Sequence, residues 1–90
     1  MQFVVRFYQE NDQQILGSDG SAIMSDIKTL RGVHRRLARY HLPMYAYSYK
    51  IFRVPHGKFY DDSAWTQIEE GLVNDLRHAR GLPQFVRGRS

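Results

Sequence analysis

Cysteine is absent from this 90-residue chain, which excludes disulfides, thiolate nucleophiles, cysteine-ligated zinc and iron–sulfur clusters. The fold must be held by packing alone. No stretch approaches the ~18 consecutive apolar residues of a membrane span, and the alternating start of the chain lacks the basic opening and apolar run of a secretory leader. A cytoplasmic protein with no membrane partner is expected, and a secreted one only if processing removed a leader. The strings H-E-x-x-H and G-x-S-x-G, Walker-type loops and dinucleotide fingerprints are missing too. Gly17 and Gly20 cannot replace a phosphate loop, and Asp19, Asp61 and Asp62 lack EF-hand spacing and read as turn and cap residues. On that spacing no metal is expected, and no cofactor either, because a chain of this size builds one thin core between two layers rather than a large internal cavity.

With 42% hydrophobic and 24% charged residues, the chain is too apolar and too evenly charged to stay disordered, so it folds. One domain over residues 1–90 is expected, with 88–90 as a frayed tail. Residues 2–8 alternate, with Phe3, Val5 and Phe7 on one side and Gln2, Arg6 and Tyr8 on the other, which predicts a strand. Glu10, Asn11 and Asp12 favour a turn, and residues 13–16 are expected to return as a second strand. Residues 17–21 read as loop, leading to Ser25 as N-cap of a first helix that ends at Leu42 and Pro43.

On helical steps of about 100°, Ile27, Leu30, Val33, His34, Leu37, Tyr40 and His41 share one side, and Lys28, Arg31, Arg35 and Arg39 the other. Gly32 falls on the basic side, where it costs about 1 kcal/mol of helix propensity relative to alanine. Residues 44–54 form the longest strand candidate, with a bulge near Lys50 to transfer burial from one face to the other. A turn at 55–58, a short partner strand at Phe59 and Tyr60, and a second amphipathic helix over 64–80 follow. In that helix Trp65, Ile68, Leu72, Leu76 and Ala79 form the apolar stripe, and Glu69 and Glu70 suit the positive end of the helix dipole. Residues 84–87 are an optional edge strand.

These elements define an α+β fold in which two amphipathic helices pack on one face of a small antiparallel sheet, in the order ββαββα. If 13–16 is loop and 84–87 a strand, the order becomes the ferredoxin-like βαββαβ. Both arrangements share a core of Phe3, Val5, Phe7, Ile27, Leu30, Val33, Leu37, Trp65, Ile68, Leu72 and Leu76.

The charge is the most informative feature. Lys28, Arg31, Arg35, Arg36 and Arg39 stand against the single carboxylate of Asp26 within residues 26–41, a local excess equal to the whole chain's net +4. The remainder is neutral. Such a row along about three helical turns matches the geometry needed to meet several phosphates. It also serves an acidic protein partner, or simply a solvated helix face. The concentration of the entire excess in one segment favours polyanion contact.

Tyr45, Tyr47 and Tyr49 recur at period two, which on an exposed sheet face makes a stacking platform for unpaired bases; the competing expectation is that their rings pack in the core. His34 and His41 lie too far apart along the helix to chelate one metal and are expected at the buried or boundary side. His56, in a turn beside Gly57 and Lys58, is a candidate acid or base for a metal-independent ribonuclease, the weakest of the functional readings. The expected function is therefore a small basic module that contacts nucleic-acid phosphates through Lys28, Arg31, Arg35, Arg36 and Arg39, with the tyrosines as stacking candidates. The alternative is a protein-interaction module, an inhibitor, adaptor or self-associating subunit, that uses the same cations and exposed tyrosines, including a homodimer paired through a sheet edge.

Overall fold

A computed structural model describes residues 2–17 and 20–81 of the chain. The element order is β1 (Gln2–Tyr8), β2 (Ser21–Met24), α1 (Leu30–Leu37), β3 (Ser48–Val54), a 3₁₀ turn Asp62–Ala64, β4 (Thr66–Leu72) and α2 (Val73–Ala79). The strands make one four-stranded antiparallel sheet in the order β2-β1-β3-β4. This is an α+β fold. The ferredoxin-like order would need a helix directly after β1, where the chain places β2 instead. The optional strand at 84–87 and the tail at 88–90 lie outside the described residues, as do Ser18 and Asp19.

The alternation of β1 decides the two sides of the sheet. Opposite residues in antiparallel strands share a face, so Phe3, Val5 and Phe7 stand with Met24 and Ala22 of β2 and with Ile51 and Tyr49 of β3. This face is the core, closed by Val33 and Leu37 of α1, Leu42 and Ala46 of the following connection and Val73 of α2. Ile27, Leu30, Tyr40, Ile68 and Leu76 pack against it, partly buried. Val4 and Val54 belong to the opposite face and are also buried. There Phe52 and Trp65 meet at 5.6 Å, and Arg6 stacks over the indole at 4.3 Å while its guanidinium reaches Asp62 at 2.9 Å.

Four expectations are corrected by this arrangement. Residues 13–16 contribute only an isolated bridge between Tyr8 and Gln14; the second strand is Ser21–Met24, between the end of the expected loop at 17–21 and Ser25. The first helix does not start at Ser25. Thr29 is its cap, with its side chain accepting the Gly32 N–H at 3.1 Å, and the helix ends at Leu37. The strand at 44–54 shortens to Ser48–Val54; the irregularity expected near Lys50 is present between Ile51 and Phe52, but not as a bulge of this strand. It is carried by β4, where Glu69 opposes Ile51 and Gln67 opposes Phe52, leaving Ile68 as the extra residue.

The largest correction concerns residues 64–80. Instead of one helix they form β4 and the short α2, and Phe59 and Tyr60 are not a strand. Glu69 and Glu70 accordingly sit in a strand, not at a helix start. Trp65 and Leu72 also leave the expected core: Trp65 packs on the opposite face with Phe52 and Arg6, and Leu72 is exposed. α2 then begins without a side-chain cap, its first N–H at Val73 donating to the Tyr47 carbonyl at 2.9 Å.

Candidate functional site

The five cations of the basic segment are all exposed. With Val33 and Leu37 fully buried against the sheet, helical periodicity carries Arg31 and Arg35 to solvent. Lys28 precedes the Thr29 cap and Arg39 follows the Ala38 cap, so the helix is extended by one cation at either end. Asp26 accepts from Arg36 at 2.8 Å, and that bond, with a backbone hydrogen bond, holds its carboxyl below the ordinary aspartate range. So exposed a pair contributes little to stability. Among the described residues, the side chains of Lys28, Arg31, Arg35 and Arg39 have no carboxylate within ion-pair distance. Glu69, on the core-facing side of β4, meets His34 instead, with its two oxygens 2.9 and 3.1 Å from Nε2.

Beside this row runs a groove of about 510 Å³ lined by Ile27, Gly32, Arg35, Arg36 and Arg39. Gly32 makes its floor. A β-carbon there would stand 2.7 Å from Cγ2 of Ile27 and 3.3 Å from Oγ1 of Thr29, so the missing side chain is what lets the segment before α1 fold down onto the helix. Sequence reasoning registers only the helix-propensity cost of Gly32; its role in packing depends on Ile27, which local periodicity does not bring into the groove.

The tyrosines go three separate ways. Tyr49 is 7% exposed and belongs to the core, so it is not part of an open platform. Tyr47 is half-buried and lines a second groove of about 600 Å³ with Asp12, Ser48, Lys50, Glu70, Gly71 and Leu72. Tyr45 lies on a turn and is 66% exposed. None of residues 44–47 is in a strand, which is why period two does not place their rings on one face.

Beneath the Tyr45 turn lies a feature that composition does not reveal. Arg77 of α2 is buried, and its Nη2 donates to the carbonyls of Pro43 at 2.8 Å and Met44 at 3.3 Å, while Nη1 donates to Ala46 at 3.4 Å and the Asn74 side chain at 3.3 Å. Arg80 Nη1 donates to the Tyr40 carbonyl. Burial pushes the pKa of both arginines below the ordinary value. Both stand at the C-terminal end of α2, where basic side chains complement the helix dipole, and in the fold they also bind the α1–β3 connection.

The histidines differ from expectation as well. His34 and His41 are exposed rather than buried, His41 lying beyond the end of α1. His56 is exposed in the turn after β3, and its side chain makes no hydrogen bond or ion pair among the described residues. Among those residues no cluster of three or more His, Asp or Glu side chains could hold a metal, and no helix is long and apolar enough to cross a membrane. In comparisons with known proteins, no family model, curated protein or solved structure matches the chain.

Proposed function

We propose that the chain is a nucleic-acid-binding module whose contact is made with backbone phosphates by Lys28, Arg31, Arg35, Arg36 and Arg39. The observation that carries this reading is the exposure of the row with only Arg36 neutralised, by Asp26, among the described residues. Cations that met carboxylates within their own fold would have little attraction left for a partner; these four have it in full. The groove beside Arg35, Arg36 and Arg39 gives an anion a concave seat rather than a flat surface. Contact with backbone phosphates positions the nucleic acid and carries no sequence information, so base readout is not implied.

Fluorescence anisotropy with a labelled oligonucleotide tests this directly. Four free cations imply a log–log salt slope of about −3.6 on duplex and about −2.8 on a single strand, hence a loss of roughly 50- to 150-fold between 50 and 200 mM salt. Arg35→Glu with Arg39→Glu should abolish binding, whereas Arg53→Glu with Lys58→Glu, an equal charge change at exposed positions outside the row, should leave most of it. Equal losses in the two double variants, or no binding at low salt, would overturn the proposal. An acidic protein surface is the partner left by the second result.

A further inference from the structure

We infer that the nucleic acid taken by this face is single-stranded, with one unpaired base stacked on Tyr45; the inference rests on the phosphate-contact reading above and names its substrate class. The argument starts where α1 ends. After Leu37 the chain exposes Arg39, then turns Tyr40 inward to stack on Phe7, with ring centroids 6.1 Å apart and planes 13° from parallel. Leu42, Pro43 and Ala46 are buried, but between them Met44 is 73% and Tyr45 66% exposed. A turn bond from the Ala46 N–H to the Pro43 carbonyl at 3.2 Å closes this segment.

Exposure of Tyr45 is therefore imposed by its neighbours. Arg77 holds the carbonyls of Pro43, Met44 and Ala46 from below, and Arg80 holds that of Tyr40. Residues three apart on a helix face the same side, about 4.5 Å from each other along the axis. Tyr40, the neighbour of Arg39, and the start of the Tyr45 turn are thus fastened to adjacent positions at the end of α2, by its C-cap Arg80 and by Arg77. The last cation of the row and the exposed ring are coupled through a short, clamped stretch of chain. With the backbone on either side of it held in this way, only the side-chain torsions of Tyr45 remain to be ordered when a base stacks on its ring.

Duplex bases keep both faces covered by their neighbours, so a surface tyrosine gains nothing from them without unstacking. A single strand offers a free base face beside every phosphate, and stacking of this kind is indifferent to sequence. Of the three tyrosines at period two, Tyr45 is the one with an open ring, because Tyr49 is in the core and Tyr47 lines the other groove.

The test compares a labelled thymidine oligomer of about 15 nucleotides, the abasic oligomer of equal length and a duplex of equal length. The abasic strand keeps the phosphates and removes the bases. Binding should be tighter for the thymidine oligomer than for either of the other two probes. Tyr45→Ala should weaken thymidine binding by roughly 5- to 150-fold, leave abasic binding unchanged, and leave the thermal melt unchanged because the ring is exposed; Tyr45→Phe should retain most of the affinity. Equal, salt-sensitive binding of all three probes, with Tyr45→Ala silent, would overturn the single-strand inference while sparing the phosphate reading. Absence of binding to every probe at low salt would overturn both.

Discussion

Tyr49 on β3 and Gly71 on β4 stand opposite each other in the sheet, and the phenol lies across the glycine. A β-carbon built on Gly71 would come within 2.6 Å of the Tyr49 oxygen and within 2.8 and 2.9 Å of two ring carbons. Tyr49 is buried among the core residues and has little room to give way. The edge strand therefore carries a glycine where a side chain would collide with a fixed ring, and the ring covers backbone that the glycine leaves bare.

Gly71→Ala should destabilise the protein by about 1–3 kcal/mol, the usual cost of overpacking. Tyr49→Phe should not relieve it, since the ring carbons stay in place, but Tyr49→Leu should. Urea unfolding of the two singles and the double gives the coupling energy; additive effects would mean that the ring does not occupy this space.

Gly32→Ala sets two effects of similar size against each other. Helix propensity gains about 1 kcal/mol, but the new methyl meets Ile27, whose branched side chain is stiff. We expect lower stability in the wild-type background and higher stability once Ile27→Ala has made space. A stabilising Gly32→Ala in the wild type would show that Ile27 is not held on the helix.

Replacing Arg77 by methionine keeps much of the side-chain volume and removes the donors to Pro43, Met44 and Ala46. The Pro43 carbonyl keeps the Ala46 N–H, but those of Met44 and Ala46 lose this donor, and a buried carbonyl left unpaired costs about 1–3 kcal/mol. Amide exchange over residues 44–47 should accelerate and the denaturation midpoint should fall, with Arg77→Lys recovering part of the loss. Unchanged exchange in Arg77→Met would remove the clamp from the account of Tyr45.

Burial, with Glu69 and Asp75 nearby, raises the pKa of Tyr49 above its ordinary 10.0. The unfolded chain then releases this proton more readily than the folded one. The stability linked to Tyr49 is present below pH 10 and is lost as pH climbs from there through the folded value. Tyr49→Phe should flatten that part of the alkaline stability profile; an unchanged slope in chemical denaturation would exclude Tyr49 as its source.

Part of the architecture is legible in local pattern. The alternation of Phe3, Val5 and Phe7 gives β1 and its buried face, and the spacing of Val33 and Leu37 gives the inner side of α1. Residues 64–80 mislead because Ile68, Leu72 and Leu76 fit helical steps, while an irregular strand accommodates Ile68 and Leu72 and a separate short helix carries Leu76. With Ile68 as the extra residue of the bulge, Ile68 packs against the core and Leu72 is left exposed. β2 is missed for another reason: four residues are too few to display a period, and they become a strand by pairing with β1.

The amino-acid order alone determined where the positive charge gathers, that no thiol chemistry is available and which side of the first helix turns inward. All three follow from composition or from neighbours within a few positions. Only the tertiary structure decided that Asp26 rather than Glu69 or Glu70 meets the row, that the three tyrosines part company, and that Arg77 supports the turn beneath Tyr45. These depend largely on contacts between residues far apart in the chain, such as Arg77 with Pro43 and His34 with Glu69. Their free energy exists only once strands pair and helices pack, and no short window of sequence contains both partners.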